Sequence, residues 1–256
     1  MQQLKTIKTM KTMKSSTLLL TAGMLFGFLL FPSCQDDDKD VNRLYPNALV
    51  TVKHAEDETV FLQLDDQTTL LPVNLTTSPF EEKEVRALVN YEEVDKPRGA
   101  YDQAVHVNWI DSIRTKAMAP NLGDENDAKY GIDPVEIVRD WVTVAEDGYL
   151  TLRFRTTWGY PRVVHSVNLI PTNNPENPYE VEFRHNANGD IGDRYGDGLV
   201  AFRLDNLPDT EGDTVKLKLK WKSFSGDKSV EFDYKTRAAT PASSAVAAER
   251  SVIPLQ

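Results

Sequence analysis

The stretch Val215-Lys216-Leu217-Lys218-Leu219-Lys220-Trp221-Lys222 constrains the chain most. Apolar residues and lysines alternate without a break. A period of two places the four apolar side chains on one face of an extended strand and the four ammonium groups on the other. A helix would scatter both sets around its circumference. Such a strand needs partners beside it and a second layer over its apolar face, so this segment by itself predicts a packed β-sheet with one buried and one wet side. The lysines read as a solvated face, of which a sheet edge guarded against further pairing is one form. A row facing glycan or lipid is the alternative.

The same signal recurs along the chain. Residues 48–53, 60–64, 68–73 and 84–91, the last with Val85, Ala87 and Val89 on one face, precede a run holding Val105, Val107, Trp109 and Ile113. Ala55-Glu56-Asp57-Glu58 is the first turn and Ser78-Pro79 a break. These five strands fit a small barrel. Residues 116–133 lose the alternation, turn acidic and read as an exposed linker. Seven further strands are expected at 141–144, 149–155, 165–170, 179–185, 199–204, 214–224 and 229–237, with Asp147-Gly148 as a hairpin turn. That count suggests a sandwich. Helix is limited to a turn or two at 134–139. The reading is thus all-β: a small OB-like barrel at 45–115, a linker at 116–133, a β-sandwich at 134–237 and a disordered tail at 238–256.

Residues 1–33 have the parts of an export signal. Lys5, Lys8, Lys11 and Lys14 form a basic start, residues 18–31 an apolar core, and Ser33 stands before Cys34, the sole cysteine. The apolar core falls short of the ~20 residues a spanning helix needs. A lone cysteine has no internal disulfide partner, and its place at the cleavage point predicts lipid attachment at Cys34. Acyl chains at about 0.8 kcal/mol per buried methylene would then hold the protein on a membrane. Residues 34–44 read as an acidic tether. The run Gln35-Asp36-Asp37-Asp38-Lys39-Asp40 points to a lipoprotein of the outer membrane exposed at the cell surface, with a periplasm-facing protein as the alternative. An ordinary secretory signal with a chance cysteine is the plainer account of the leader.

The whole chain carries a net charge of −10, and losing the four leader lysines takes this to −14. Phosphate backbones repel such a chain, so nucleic acid is not an expected partner. No Gly-x-Ser-x-Gly, His-Glu-x-x-His, phosphate loop or dinucleotide fingerprint is present, and no enzymatic activity is expected. The histidines His54, His106, His165 and His185 are scattered; His165 and His185 fall on neighbouring strands and can meet, yet no spacing supplies the three ligands a metal needs. Asn186, Asn188 and Asp190 offer oxygens at alternate positions, as hard-cation loops do. The pattern then fails, with Ile191 where an EF-hand requires glycine and Asp197 where it requires glutamate. Self-bonding Asx turns explain the stretch as well, and no cofactor is expected. Trp158 and Tyr160 lie in a turn and are candidates for stacking on a sugar ring; Trp158 as a plug at one end of the sandwich is the competing reading.

Several segments resemble the NigD-like lipoproteins. They are Tyr45-Pro46-Asn47-Ala48, Val107-Asn108-Trp109-Ile110-Asp111, Asp140-Trp141-Val142-Thr143-Val144, Asp147-Gly148-Tyr149-Leu150-Thr151, Thr157-Trp158-Gly159, Arg184-His185-Asn186-Ala187 and Leu219-Lys220-Trp221-Lys222-Ser223-Phe224. The resemblance runs from about residue 45 to 237. It implies an N-terminal OB-like barrel followed by a C-terminal β-sandwich, and brings a proposed role in bacteriocin-related immunity. The function expected is that of a membrane-tethered interaction protein with a protein or glycan ligand.

Overall fold

The computed structural model describes residues 43–160, 162–190 and 192–237. The leader, Cys34, most of the tether and the tail at 238–256 lie outside the described residues.

Strands β1 (Ala48–His54), β2 (Val60–Gln63), β3 (Thr69–Pro72), β4 (Val85–Glu93) and β5 (Gln103–Ser112) close into a barrel in the order β1-β2-β3-β5-β4. Only β3 and β5 run parallel among these pairs; that crossover lets five strands close. Ala48, Val50, Val52, Leu62, Leu70, Ala87, Val89 and Val105 fill the interior. β1 and β4 also bury the face that alternation assigns to water: Leu49, Thr51, Lys53, Arg86 and Asn90 are buried as well. The second domain covers Leu49, Lys53 and Arg86, while Asn90 is bonded to the Tyr45 carbonyl and to Asn108.

That domain is a sandwich. One sheet has the order β10 (Ser166–Pro171), β11 (Glu180–Asn186), β13 (Val215–Ser223), β14 (Gly226–Tyr234). The other runs β6 (Arg114–Ala117), β12 (Arg194–Arg203), β9 (Tyr149–Trp158), β7 (Glu136–Val138), and β8 (Val144–Glu146) also pairs with β9. Leu150, Leu152, Phe154, Leu169, Val181, Phe183, Phe202, Leu217 and Leu219 interdigitate between them.

Four expectations change. First, no exposed linker spans 116–133. Ile113 alone separates β5 from β6, and β6 already pairs with β12 of the sandwich. Met118 enters the core, Ala119 N–H donates to the Leu169 carbonyl, and a short helix α1 (Asn126–Tyr130) is held by the Tyr130 hydroxyl on the Pro120 carbonyl. Polar composition hid these apolar anchors. Second, residues 134–139 hold β7 in place of helix, because Ile137 completes the sheet beside Phe154. Third, Trp141 and Val142 form a turn, with Val142 N–H donating to the Asp140 carboxylate at 3.2 Å; the strand begins at Val144. Fourth, the lysine row is not at an edge. β13 lies between β11 and β14, and its lysines meet acids on both sides: Lys218 with Glu180 at 2.9 Å, Lys222 with Asp227 at 3.3 Å, and Lys216 with Asp233. Cross-strand opposite charges of this kind support the pairing. The Lys218 hydrogen bond is foremost in holding the Glu180 carboxyl below its ordinary range.

The hairpin β8–β9 makes the seam between the two domains. Asp147 and Gly148 both take positive φ, 49° and 73°, the left-handed pair that a two-residue turn of right twist needs. The turn drives Glu146 and Asp147 against the barrel. Lys53 Nζ reaches Asp147 at 2.6 Å. Arg86, whose side chain is 0% exposed, pairs with Glu146 at 2.5 Å and donates to the Thr51 hydroxyl at 3.0 Å. Arg237 donates to Glu84 at 2.6 Å, and the Tyr149 hydroxyl donates to the same carboxylate. Leu49, Ile113, Tyr149 and Ala201 supply the apolar part. Burial, then the bond to Glu84, pushes the Tyr149 hydroxyl far above its usual range.

Removing one partner of a buried pair leaves the other uncompensated. Arg86→Ala is expected to lower the unfolding free energy by about 3 kcal/mol, the low end of the usual range because Glu146 keeps some contact with water. The denaturant midpoint at unchanged slope measures it, and a loss below about 1 kcal/mol contradicts the role assigned to this ion pair.

Candidate functional site

Two places in the described residues gather functional side chains. The first is the end of the sandwich remote from the barrel. β9 and β12 pair over their whole length, from Tyr149 opposite Arg203 at the barrel end to Trp158 opposite Arg194, about 30 Å away at ~3.3 Å per residue. There the loops after β9 and β11 converge. His165 Nδ1 lies 2.9 Å from His185 Nε2, and His165 Nε2 lies 3.2 Å from Asp190 Oδ2. His185 Nδ1 in turn lies 3.3 Å from the Asp133 carbonyl, so a chain of contacts runs from that carbonyl through both rings to Asp190, with the donor at each ring nitrogen set by the tautomers. Asp190 also accepts from the backbone N–H groups of Gly159, Tyr160 and Gly192. The Gly159 bond is the largest cause holding its carboxyl below the ordinary range. A Cβ on Gly159 would sit 2.5 Å from Asp190 Oδ1, so the approach that makes this knot requires glycine.

His165 and His185 therefore meet, and Asp190 joins them. The side chains of His165 and Asp190 are 2% and 1% exposed, so the group serves the fold's end and presents nothing to solvent. The calcium candidates are spent in the same way. Asn186 Oδ1 accepts from Asn188 N–H, Asn188 Nδ2 donates to the Val164 carbonyl, and Asp197 accepts from Arg155 and Arg153. Among the described residues no group of three or more metal-binding side chains converges. Trp158 stacks on His165 with ring centroids 4.0 Å apart and planes at 19°, and its Nε1 donates to the Gly196 carbonyl. It plugs the sandwich end. Tyr160 is exposed, yet it does not share an aromatic platform with Trp158, whose face His165 already covers.

The second place lies beside the seam and was not expected from the sequence. A groove of about 290 Å³ is lined by Tyr45, Pro46 and Leu88 of the barrel and by Asp140, Trp141, Val142, Arg153 and Leu199 of the sandwich. Its aromatic walls are open, with Tyr45 66% and Trp141 54% exposed. The chain before β1 is pinned in position. Trp109 Nε1 donates to the Arg43 carbonyl at 2.6 Å, Asn90 Nδ2 donates to the Tyr45 carbonyl at 2.6 Å, and Asn47 exchanges two bonds with the Tyr91 backbone across the bulge in β4. Across the groove, the Asp140 turn fixes Trp141. Arg153 bridges Asp140 at 2.8 Å and Asp197 at 2.6 Å, bonds that raise the guanidinium further above its usual range. Two of the segments that carry the family resemblance, at 45–48 and 140–144, face each other here; that was the available signal. A larger cleft of about 480 Å³ elsewhere along the seam is lined by Asp65, Asp66, Glu146 and Asp233. Burial raises the Glu146 carboxyl in spite of Arg86.

Residues 49–113 match the NigD-like N-terminal OB domain, and residues 117–234 the NigD-like C-terminal beta sandwich domain. The chain belongs to the NigD-like family. Solved structures agree. A toxin-related protein from Parabacteroides distasonis ATCC 8503 is 37% identical, with 74% of this chain and 92% of that one covered and a TM-score of 0.62. A protein of unknown function from Bacteroides vulgatus ATCC 8482 is 21% identical over 78% and 97% of the two chains, with a TM-score of 0.60. A NigD-like immunity protein from Bacteroides caccae ATCC 43185 is 21% identical over 72% and 90%, with a TM-score of 0.51. No curated protein matches the sequence. The NigD-like architecture of barrel and sandwich is thus the one the strand counts imply.

The buried His185 of this NigD-like chain gives a pH dependence. Burial first, and the neighbouring His165 second, push His185 down to about 4. Unfolded, the same ring takes up its proton near pH 6.5. As pH falls from 6.5 to 4 the unfolded state binds more protons, so stability is full above this window and declines through it, by up to about 3 kcal/mol. Denaturant melts from pH 7 to 4.5 test this. His185→Phe is expected to flatten that part of the profile; an unchanged slope excludes His185 as the source.

Proposed function

We propose that the protein is a lipid-anchored, non-enzymatic interaction module at the outer membrane, exposed at the cell surface. The observation that carries the reading is the sole cysteine, Cys34, placed where an export-type leader ends and followed by an acidic run. The site chemistry supports it. The cluster nearest to a catalytic arrangement, His165–His185–Asp190, turns its polar atoms onto the protein's own backbone, and among the described residues no hydroxyl or thiol bonds to either ring. No helix of the described residues is long and apolar enough to cross a membrane.

The narrower reading is bacteriocin-related immunity. It is favoured by the family and by the 37% identity to a chain described as toxin related. In this role the module would bind a protein partner outside the cell.

Two measurements test the proposal. The full-length protein is expected to sediment with membranes, and Cys34→Ser to shift most of it to the soluble fraction; a Cys34→Ser protein that stays on the membrane refutes the anchor. A deletion strain is expected to gain sensitivity to a bacteriocin-type toxin made by related cells, and unaltered sensitivity counts against immunity.

A further inference from the structure

We propose that the groove between Tyr45 and Trp141 binds a neutral pyranose ring of a glycan. This deepens the interaction role by naming a ligand class, and it rests on that reading only for the cellular setting.

Three observations converge. The first is the exposure of the walls. A tyrosine and a tryptophan each leave more than half of their surface to water although a concave site lies between them. The C–H faces of a sugar ring are apolar and planar enough to lie on such rings, which lose little side-chain entropy on binding. Positioning is the second. The backbone on both sides is fixed before any ligand arrives, by Trp109, Asn90 and Asn47 on one side and by the Asp140 turn on the other, so binding does not have to order a loop. Third comes the polar rim. Arg153 and Arg155 are balanced by Asp140 and Asp197, with Arg155 Nε 2.6 Å from Asp197. This network is neutral in sum and offers both donors and acceptors. Hydroxyl groups donate and accept equally, whereas a phosphate or carboxylate ligand would face two acids already in place. The indole nitrogen of Trp141 has no bond among the described residues and adds a donor beside the apolar wall.

The same aromatic residues could instead rest in a lipid interface. Concavity and the paired carboxylates favour the sugar, since a bilayer contact calls for a protruding apolar surface with cations around it.

The test uses the purified full-length chain in native gels containing dextran, yeast mannan or soluble starch. Retardation by at least one polysaccharide is expected. Trp141→Ala and Tyr45→Ala should each weaken it about ten-fold, while Trp141→Phe, which keeps an aromatic face, should retain most of it. Both residues are exposed, and unchanged thermal melts show that the variants stay folded. Retardation by none of the three, or retardation equal in the alanine variants, overturns the proposal. So does binding of the Cys34→Ser chain to phosphatidylcholine vesicles that depends on Tyr45 and Trp141, because the pair is then a membrane contact. Membrane sedimentation is measured in parallel. A chain that sediments normally yet ignores all three polysaccharides refutes the groove without touching the anchored-module reading.

Discussion

The structure depends on two cations of the barrel being answered by two consecutive residues of the sandwich. Lys53 on β1 and Arg86 on β4 project from the outer face of the barrel, and Glu146 and Asp147 at the tip of the β8–β9 hairpin meet them. Arg86 is shut off from water and Lys53 nearly so. Burying such ions costs more than a surface pair returns, and burial is the foremost influence on the Glu146 carboxyl, which lies above its ordinary range. We read the seam as a device for register. An apolar seam tolerates sliding, whereas a shift of one residue here would leave an ammonium or guanidinium group buried alone. The positive-φ turn at Asp147-Gly148 is what delivers both acids to the same spot.

This seam also marks where the sequence stops being legible. The barrel strands, the hairpin at Asp147-Gly148 and the central strand β13 were readable because each pairs a period of two with a turn whose chemistry is local. The second buried face of β1 and β4 was not. Thr51, Lys53 and Arg86 look like solvent-facing residues, and only a partner domain distant in sequence makes them interior. The same cause explains the linker. Residues 116–133 are polar on average, but Met118 and Tyr130 are anchored by contacts with the sandwich that no local pattern announces. At β13, the lysines were correctly placed on the outer face; their acidic partners on β11 and β14 could not be known without the strand order.

The candidate sites divide along similar lines. Adjacent strands were enough to bring His165 to His185. Asp190 was weighed as a cation ligand and is instead the acceptor that ties two loops and an imidazole together. Trp158 and Tyr160 were weighed as sugar-stacking residues against Trp158 as a plug, and the stack on His165 makes Trp158 the plug. The open aromatic pair belongs to Tyr45 and Trp141, which come from different domains. Each had a reason to be overlooked: one precedes the first strand, and the other stood in a segment read as extended until its Asx turn placed it at a corner.

One consequence follows from the passage of β5 into β6 across Ile113. A single residue leaves no slack for a swivel, and β6 is locked in parallel to β12 as soon as it begins. Force entering at Arg43 is therefore carried by covalent backbone and ionic seam together, with no spacer to stretch. Barrel and sandwich are thus expected to move together, which keeps the aromatic groove at a constant distance from the histidine knot.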